Sequence, residues 1–154
     1  MNKILETGEK FFGTKTDPTQ IPIARASVRK LLQLHPKAFL YKTDDTGDPI
    51  CWTAIVPTTK NLMNKFLAGK ITEKQLFDMT EPQESYDAIY LCAALTVPEH
   101  RKKGYAFELL VDAVGSIPVK GKLILFSWPI TKEGKTLAKR IGERFKTNVL
   151  IQER

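Results

Sequence analysis

The residues Ala88-Ile89-Tyr90-Leu91-Cys92-Ala93-Ala94-Leu95-Thr96-Val97 are nearly unbroken in apolarity and run into Pro98. Such a run is far too short to span a bilayer, which needs about 20 apolar residues. It suits a strand buried on both faces. The chain then turns through Glu99, His100, Arg101, Lys102, Lys103 and Gly104. Beyond the turn, Ala106, Leu109, Leu110 and Ala113 recur at i, i+3, i+4 and i+7, the apolar stripe of a helix. The stretch is therefore a strand, a tight basic turn and the first turn of a helix. The first turn of that helix leaves backbone N–H groups unsatisfied at the positive end of its dipole. Gly104 carries no side chain where an anion would approach, and Arg101, Lys102 and Lys103 add charge. The stretch is an anion site suited to phosphate.

The rest of the chain reads as alternating short elements. Ile4-Leu5 and Phe11-Phe12 suggest one short strand near the start. A helix is expected close to Pro22, with Ala24, Val28, Leu31 and Leu32 on one face, and His35-Pro36 ends it. Residues 38–41 and 50–56 form a hairpin around a loop rich in turn formers, with Pro57 closing it. Asp44, Asp45 and Asp48 in that loop read as solvated turn residues rather than a lure for a cationic substrate. Two short helices follow. Leu62, Phe66 and Leu67 line the first and Gly69 suits its end; Thr72 and Gln75 form a capping box for the second, which runs to about Met79. Glu84-Ser85-Tyr86-Asp87 leads into the central strand. Residues 122–127 form another strand, Leu137, Ala138, Ile141 and Phe145 line a last helix, and residues 148–151 form a final strand. Gly134-Lys135-Thr136 is not a nucleotide P-loop, because the glycine required five places earlier is Pro129.

A chain of 154 residues fits a single domain spanning 1–154, with 42% apolar and 27% charged residues typical of a globular protein. The start, Met1-Asn2-Lys3-Ile4-Leu5-Glu6, has no signal-peptide apolar core, so a cytoplasmic protein without a membrane partner is expected. Cys51 and Cys92 lie in separate strand-like runs and read as lone buried thiols of a reducing compartment. Two cysteines and two histidines assemble no convincing metal site. The net charge of +7 is spread along the chain without interleaved aromatics, which argues against a nucleic-acid groove and leaves a polyanionic ligand as its simpler reason.

Arg101, Gly104 and Ala106 occupy the fixed places of Arg-x-x-Gly-x-Ala after a strand that ends in proline. This pattern resembles the acyl-CoA signature of the GNAT superfamily of N-acetyltransferases. The resemblance covers residues 18–145, with the specific motif confined to 94–107. It implies an α/β (α+β in some schemes) fold: a mixed, mostly antiparallel sheet flanked by helices, with a central strand that splays from its neighbour. Acetyl-CoA is then the co-substrate. Its pantetheine arm would pair with the backbone of Ala94, Leu95 and Thr96. Amides of Lys102, Lys103, Gly104, Tyr105, Ala106 and Phe107 would hold the pyrophosphate, and Arg101 would secure the turn or meet a phosphate.

The implied reaction is direct attack on the thioester by a primary amine, of a small molecule or a protein, in a ternary complex. An alkylammonium with a pKa of about 10 must first lose a proton. Some members carry a glutamate or histidine eleven places before the motif's first residue; Tyr90 stands there, with Cys92 two places on. Tyr90 is expected to orient substrate or a proton-carrying water, and Glu84 and Asp87 are the chemically stronger bases nearby. The last helix places Arg140 where many members have a tyrosine acid, which leaves Ser127 as a weak substitute. The segment after Phe145 holds one strand where the family has a pair, so the second would be missing or supplied by a partner chain in a homodimer. The alternatives are a GNAT-like domain that binds acyl-CoA without turnover and a basic module that binds nucleic acid.

Overall fold

The computed structural model describes residues 18–22, 24–129 and 131–152. The strand read near Ile4 and Phe11 lies outside them. In order, the elements are α1 (Arg25–Leu34), β1 (Phe39–Thr43), β2 (Pro49–Thr58), α2 (Lys60–Leu67), α3 (Glu73–Met79), β3 (Ala88–Thr96), a 3-10 turn (Pro98–His100), α4 (Tyr105–Ser116), β4 (Leu125–Ser127), α5 (Lys132–Arg144) and β5 (Val149–Ile151).

The five strands form one sheet in the order β1-β2-β3-β4-β5. β1 with β2 and β2 with β3 are antiparallel, whereas β3 with β4 and β4 with β5 are parallel. The sheet is mixed as expected, but it is not mostly antiparallel. The crossover helices α4 and α5 each return the chain to the sheet in the same direction, which makes the second half parallel.

Several local expectations shift. α1 starts at Arg25, three residues past Pro22, and it buries Val28, Leu31 and Leu34 while Leu32 remains 44% exposed. Pro57 does not close the hairpin: it lies inside β2, paired with Ile89. β1 pairing has ended opposite Ala54, so Pro57 stands where β2 has an open side and loses no ladder bond to β1. The strand read over 122–127 contracts to Leu125–Ser127, although Ile124 still accepts a hydrogen bond from the Ile89 amide at 2.9 Å. On α4 the buried stripe is Leu110, Ala113 and Val114, with Ala106 and Leu109 only partly covered.

The Asp44 carboxylate accepts from the Thr46 amide and hydroxyl and from the Asp48 amide, at 2.9, 2.6 and 3.0 Å. These bonds, led by the one from the Thr46 hydroxyl, hold its pKa below the ordinary value, so the aspartate is a turn-forming group. The capping box forms as read: the Thr72 hydroxyl accepts from the Gln75 amide, and the Gln75 side chain accepts from the Thr72 amide. At the core, the rings of Phe66, Tyr90 and Phe126 pack with centroids 5.1–5.9 Å apart. This cluster locks α2 against the junction of β3 and β4. Among the described residues, no helix is long and apolar enough to cross a membrane.

Candidate functional site

β3 and β4 pair at three positions only, Ile89 with Leu125, Tyr90 with Phe126 and Leu91 with Ser127. β3 then continues for five residues, from Cys92 to Thr96, along a side that no described strand occupies. The register against β2 also slips here: Ile55 faces Leu91 and Ala54 faces Ala93, so Cys92 is the extra residue of a β-bulge. A bulge bends its strand and breaks the regular ladder. Alternate backbone groups of this segment point away from β2.

A cavity of about 670 Å³ opens at this divergence. Residues 91–96 of β3 form one wall; Trp128, Pro129, Thr131 and the start of α5 form the facing one. Val28 and Leu31 of α1, with Phe39 and Trp52 of the hairpin, give it an apolar side. The Trp52 and Phe39 rings pack at a tilt on that side, with centroids 5.8 Å apart.

The basic turn closes the far end. The Arg101 guanidinium donates through Nε to the Thr96 carbonyl at 3.0 Å and so ties the turn back onto β3. Lys102 and Gly104 have positive φ, 68° and 80°. Gly104 is the N-cap of α4 and has no side chain to cap it; the first intrahelical bond runs from the Glu108 amide to the Gly104 carbonyl at 3.0 Å. The amides of Tyr105, Ala106 and Phe107 precede that bond, at the positive end of a twelve-residue helix. An αL backbone beside a helix N-terminus is a nest for an anion. Nothing lies within 4 Å of where a Gly104 Cβ would stand, so the approach is open.

Positive charge collects beside this nest. The Arg140 guanidinium lies 4.4 Å from the centre of the Phe107 ring, and Lys42 stands 5.0 Å over Tyr105. A second cleft lined by Lys102, Lys132, Glu133, Thr136, Leu137 and Arg140 shares residues with the cavity rim. His100 lines the cavity too, with a buried Nδ1 that has no hydrogen-bond partner among the described residues.

Nine of the ten residues expected to hold the co-substrate line this one cavity: Ala94, Leu95, Thr96, Arg101, Lys102, Gly104, Tyr105, Ala106 and Phe107. Lys103 does not line it. Of the residues expected to act on protons, Ser127 lines the cavity and donates to the Leu91 carbonyl at 3.3 Å, across the last β3–β4 pair. Tyr90 is fully buried behind the wall, and Glu84 is exposed on the loop before β3, away from the cavity.

Sequence reasoning missed Glu73, which lines the cavity although it is only 8% exposed. Its Oε1 accepts from the Ile21 amide at 2.8 Å and its Oε2 from the Tyr90 hydroxyl at 2.6 Å. Glu73, Leu76, Phe77 and Thr80 follow the i, i+3, i+4, i+7 spacing and all are buried, so a carboxylate at the head of an apolar stripe was the available signal. Cys92 lines the cavity beside it; burial pushes its thiol well above the ordinary pKa and the Glu73 charge pushes it further. Both Cys51 and Cys92 are free thiols. No group of three potential metal ligands occurs among the described residues.

Comparison with known proteins returned no matching family model, no matching curated protein and no matching solved structure.

Proposed function

We propose that this chain is an acyl-CoA-dependent N-acyltransferase of the GNAT type, most simply one that moves an acetyl group from acetyl-CoA to a primary amine. One observation carries the reading: the anion nest of Lys102 and Gly104 and the unpaired half of β3 open into the same cavity. A ligand with a diphosphate at one end and an amide-bearing arm at the other suits both. The divergence of β3 from β4 after Leu91 supports the splay that the resemblance implies.

In this reading the amides of Lys102, Lys103, Gly104, Tyr105, Ala106 and Phe107 bind the pyrophosphate, while Lys132 and Arg140 attract the remaining phosphate charge. The backbone of Ala94, Leu95 and Thr96 pairs with the pantetheine amides. From Cys92 to Thr96 is four strand steps of about 3.3 Å, so the arm has about 13 Å of open strand edge to follow. The buried His100 Nδ1 is a ready partner for a polar group along the way. Acetyl-CoA supplies a thioester whose carbonyl carbon the amine attacks. An N–H near the bulge is suited to polarise the carbonyl oxygen, and a thiol with a pKa of about 8.5 leaves readily as thiolate without a dedicated acid.

Calorimetric titration of acetyl-CoA into the wild type and into Gly104→Asp tests the reading. Micromolar binding that disappears in the variant is expected, because the new carboxylate stands in the nest. Absence of binding to the wild type would exclude the acyltransferase and turn attention to nucleic acid. Binding without thiol release across an amine panel would favour a non-catalytic acyl-CoA domain.

A further inference from the structure

We infer that Glu73 is the acceptor-binding and proton-accepting residue, and that the acceptor is a primary amine bearing a single positive charge on an apolar stem. The inference rests on the acyltransferase reading. Four observations carry it. Glu73 reaches the cavity from α3, at the level of Tyr90 and Cys92 where β3 parts from β4. The nest lies at the other end of the β3 segment that β4 leaves unpaired, beyond Thr96. The carboxylate is therefore placed where the reacting end of a ligand anchored in the nest would arrive. Second, both oxygens are fixed by donors from different elements, the Ile21 amide and the Tyr90 hydroxyl, so its direction is set before anything binds.

Third, the lining charges are divided. Arg101, Lys102 and Arg140 belong to the nest end, while Glu73 is the buried acid among the described residues of the lining; the other acid among them, Glu133, is exposed on α5. An ammonium is drawn to the Glu73 end and an acidic acceptor is repelled from it. Fourth, Ile21, Pro22, Val28 and Leu31 line the same cavity from the α1 side, and Ile21 is the residue that bonds Glu73. That wall suits a hydrocarbon stem, and its described residues include no second carboxylate for a dication.

The chemistry balances with Glu73 as base. The ammonium gives one proton to the Glu73 carboxylate, and the freed nitrogen lone pair forms the C–N bond to the acyl carbon. The C–S bond breaks and its electron pair leaves on sulfur. The second nitrogen proton ends on the thiolate, and Glu73 returns the first to solvent. Tyr90 is a positioning residue that holds the carboxylate. Glu73→Gln preserves the shape and an acceptor for the Ile21 amide but removes the base.

The test measures three quantities on wild type and Glu73→Gln: acetyl-CoA binding by calorimetry, thiol release with hexylamine, putrescine and glutamate, and the pH profile of hexylamine turnover. The wild type is expected to prefer hexylamine to glutamate by at least about 100-fold. Glu73→Gln should bind acetyl-CoA within about twofold of wild type and lose about 10²- to 10⁴-fold in turnover, the usual contribution of a general base. The deficit should shrink as pH rises toward the amine pKa of about 10, because solvent then supplies free amine. A purely structural role would not produce that convergence. Wild-type turnover by Glu73→Gln, preference for glutamate, or no turnover of any amine by an acetyl-CoA-binding wild type would each overturn the assignment of Glu73. A variant that fails to fold leaves the amine preference of the wild type to decide. Failure of the wild type to bind acetyl-CoA would overturn the acyltransferase reading itself.

Discussion

The Tyr90 hydroxyl donates to Glu73 Oε2 at 2.6 Å, joining the first half of β3 to the first turn of α3 in the protein interior. The bond ties the aromatic cluster at the β3–β4 junction to the cavity wall, because the Tyr90 ring packs on Phe66 and Phe126 while its oxygen holds a cavity-lining carboxylate.

Tyr90→Phe keeps the ring packing and deletes one donor to a buried carboxylate. The expected loss is about 1–3 kcal/mol of stability, the usual range for removing a hydrogen bond to a buried charged acceptor. Urea unfolding of the two proteins measures it; equal midpoints would show that the bond contributes nothing net.

Gly104→Ala separates backbone strain from ligand exclusion. The residue has φ 80° and open space where a Cβ would stand. The methyl group should cost about 1–2 kcal/mol of αL strain, with acetyl-CoA affinity falling much less than in Gly104→Asp. Thermal unfolding and calorimetry on the same samples compare the two effects. An alanine variant that loses binding as completely as the aspartate would mean that bulk, not charge, closes the nest.

Two helices end in the same way with different residues. After α2 the Gly69 amide bonds the Phe66 carbonyl and the Lys70 amide bonds the Lys65 carbonyl; after α5 Lys146 bonds Glu143 and Thr147 bonds Gly142. Both are Schellman ends with the left-handed residue at φ 74° and 57°. Lys146→Gly removes the left-handed penalty of about 1–2 kcal/mol but adds freedom to the unfolded chain. A net gain of about 0.5–1 kcal/mol in chemical denaturation is expected, and a loss would show that the lysine side chain contributes more than its conformation costs.

Burial raises the thiol pKa of Cys51, partly offset by the Thr96 hydroxyl and Lys42, and raises that of Cys92 further. The folded protein therefore keeps protons that the unfolded chain releases above about pH 8.5. This contribution to stability is complete below that pH and is lost as pH rises toward the folded values. Urea midpoints at pH 7.5 and 10 should fall less in Cys92→Ala than in wild type. Parallel falls would assign the alkaline loss to other groups.

Much of the candidate site was legible because its geometry is local. A strand, a basic turn, Gly104 and an amphipathic helix are contiguous, so their residues predict the nest without knowledge of the rest of the chain. The capping box of Thr72 and Gln75 and the end of α1 at His35 were equally readable, since each depends on neighbours within a turn. Pro57 misled because a proline breaks a strand only where its missing N–H is needed, and that depends on how far β1 extends beside it.

Glu84 and Glu73 show the limit most directly. Both are acids close in sequence to the helices and strand of the site, yet one is exposed and the other lines the cavity. The amino-acid order alone determined most of the elements and the tight turn at Gly104, because hydrophobic period, capping and turn geometry act over a few residues. Only the tertiary structure decided that half the sheet is parallel, that β3 parts from β4 after Leu91, and that Glu73 rather than Glu84 stands at the parting. Those outcomes depend on contacts between residues distant in the chain, Glu73 with Ile21 and Tyr90 among them; the stripe that Glu73 heads marks it for burial but does not encode which donors it meets across the core.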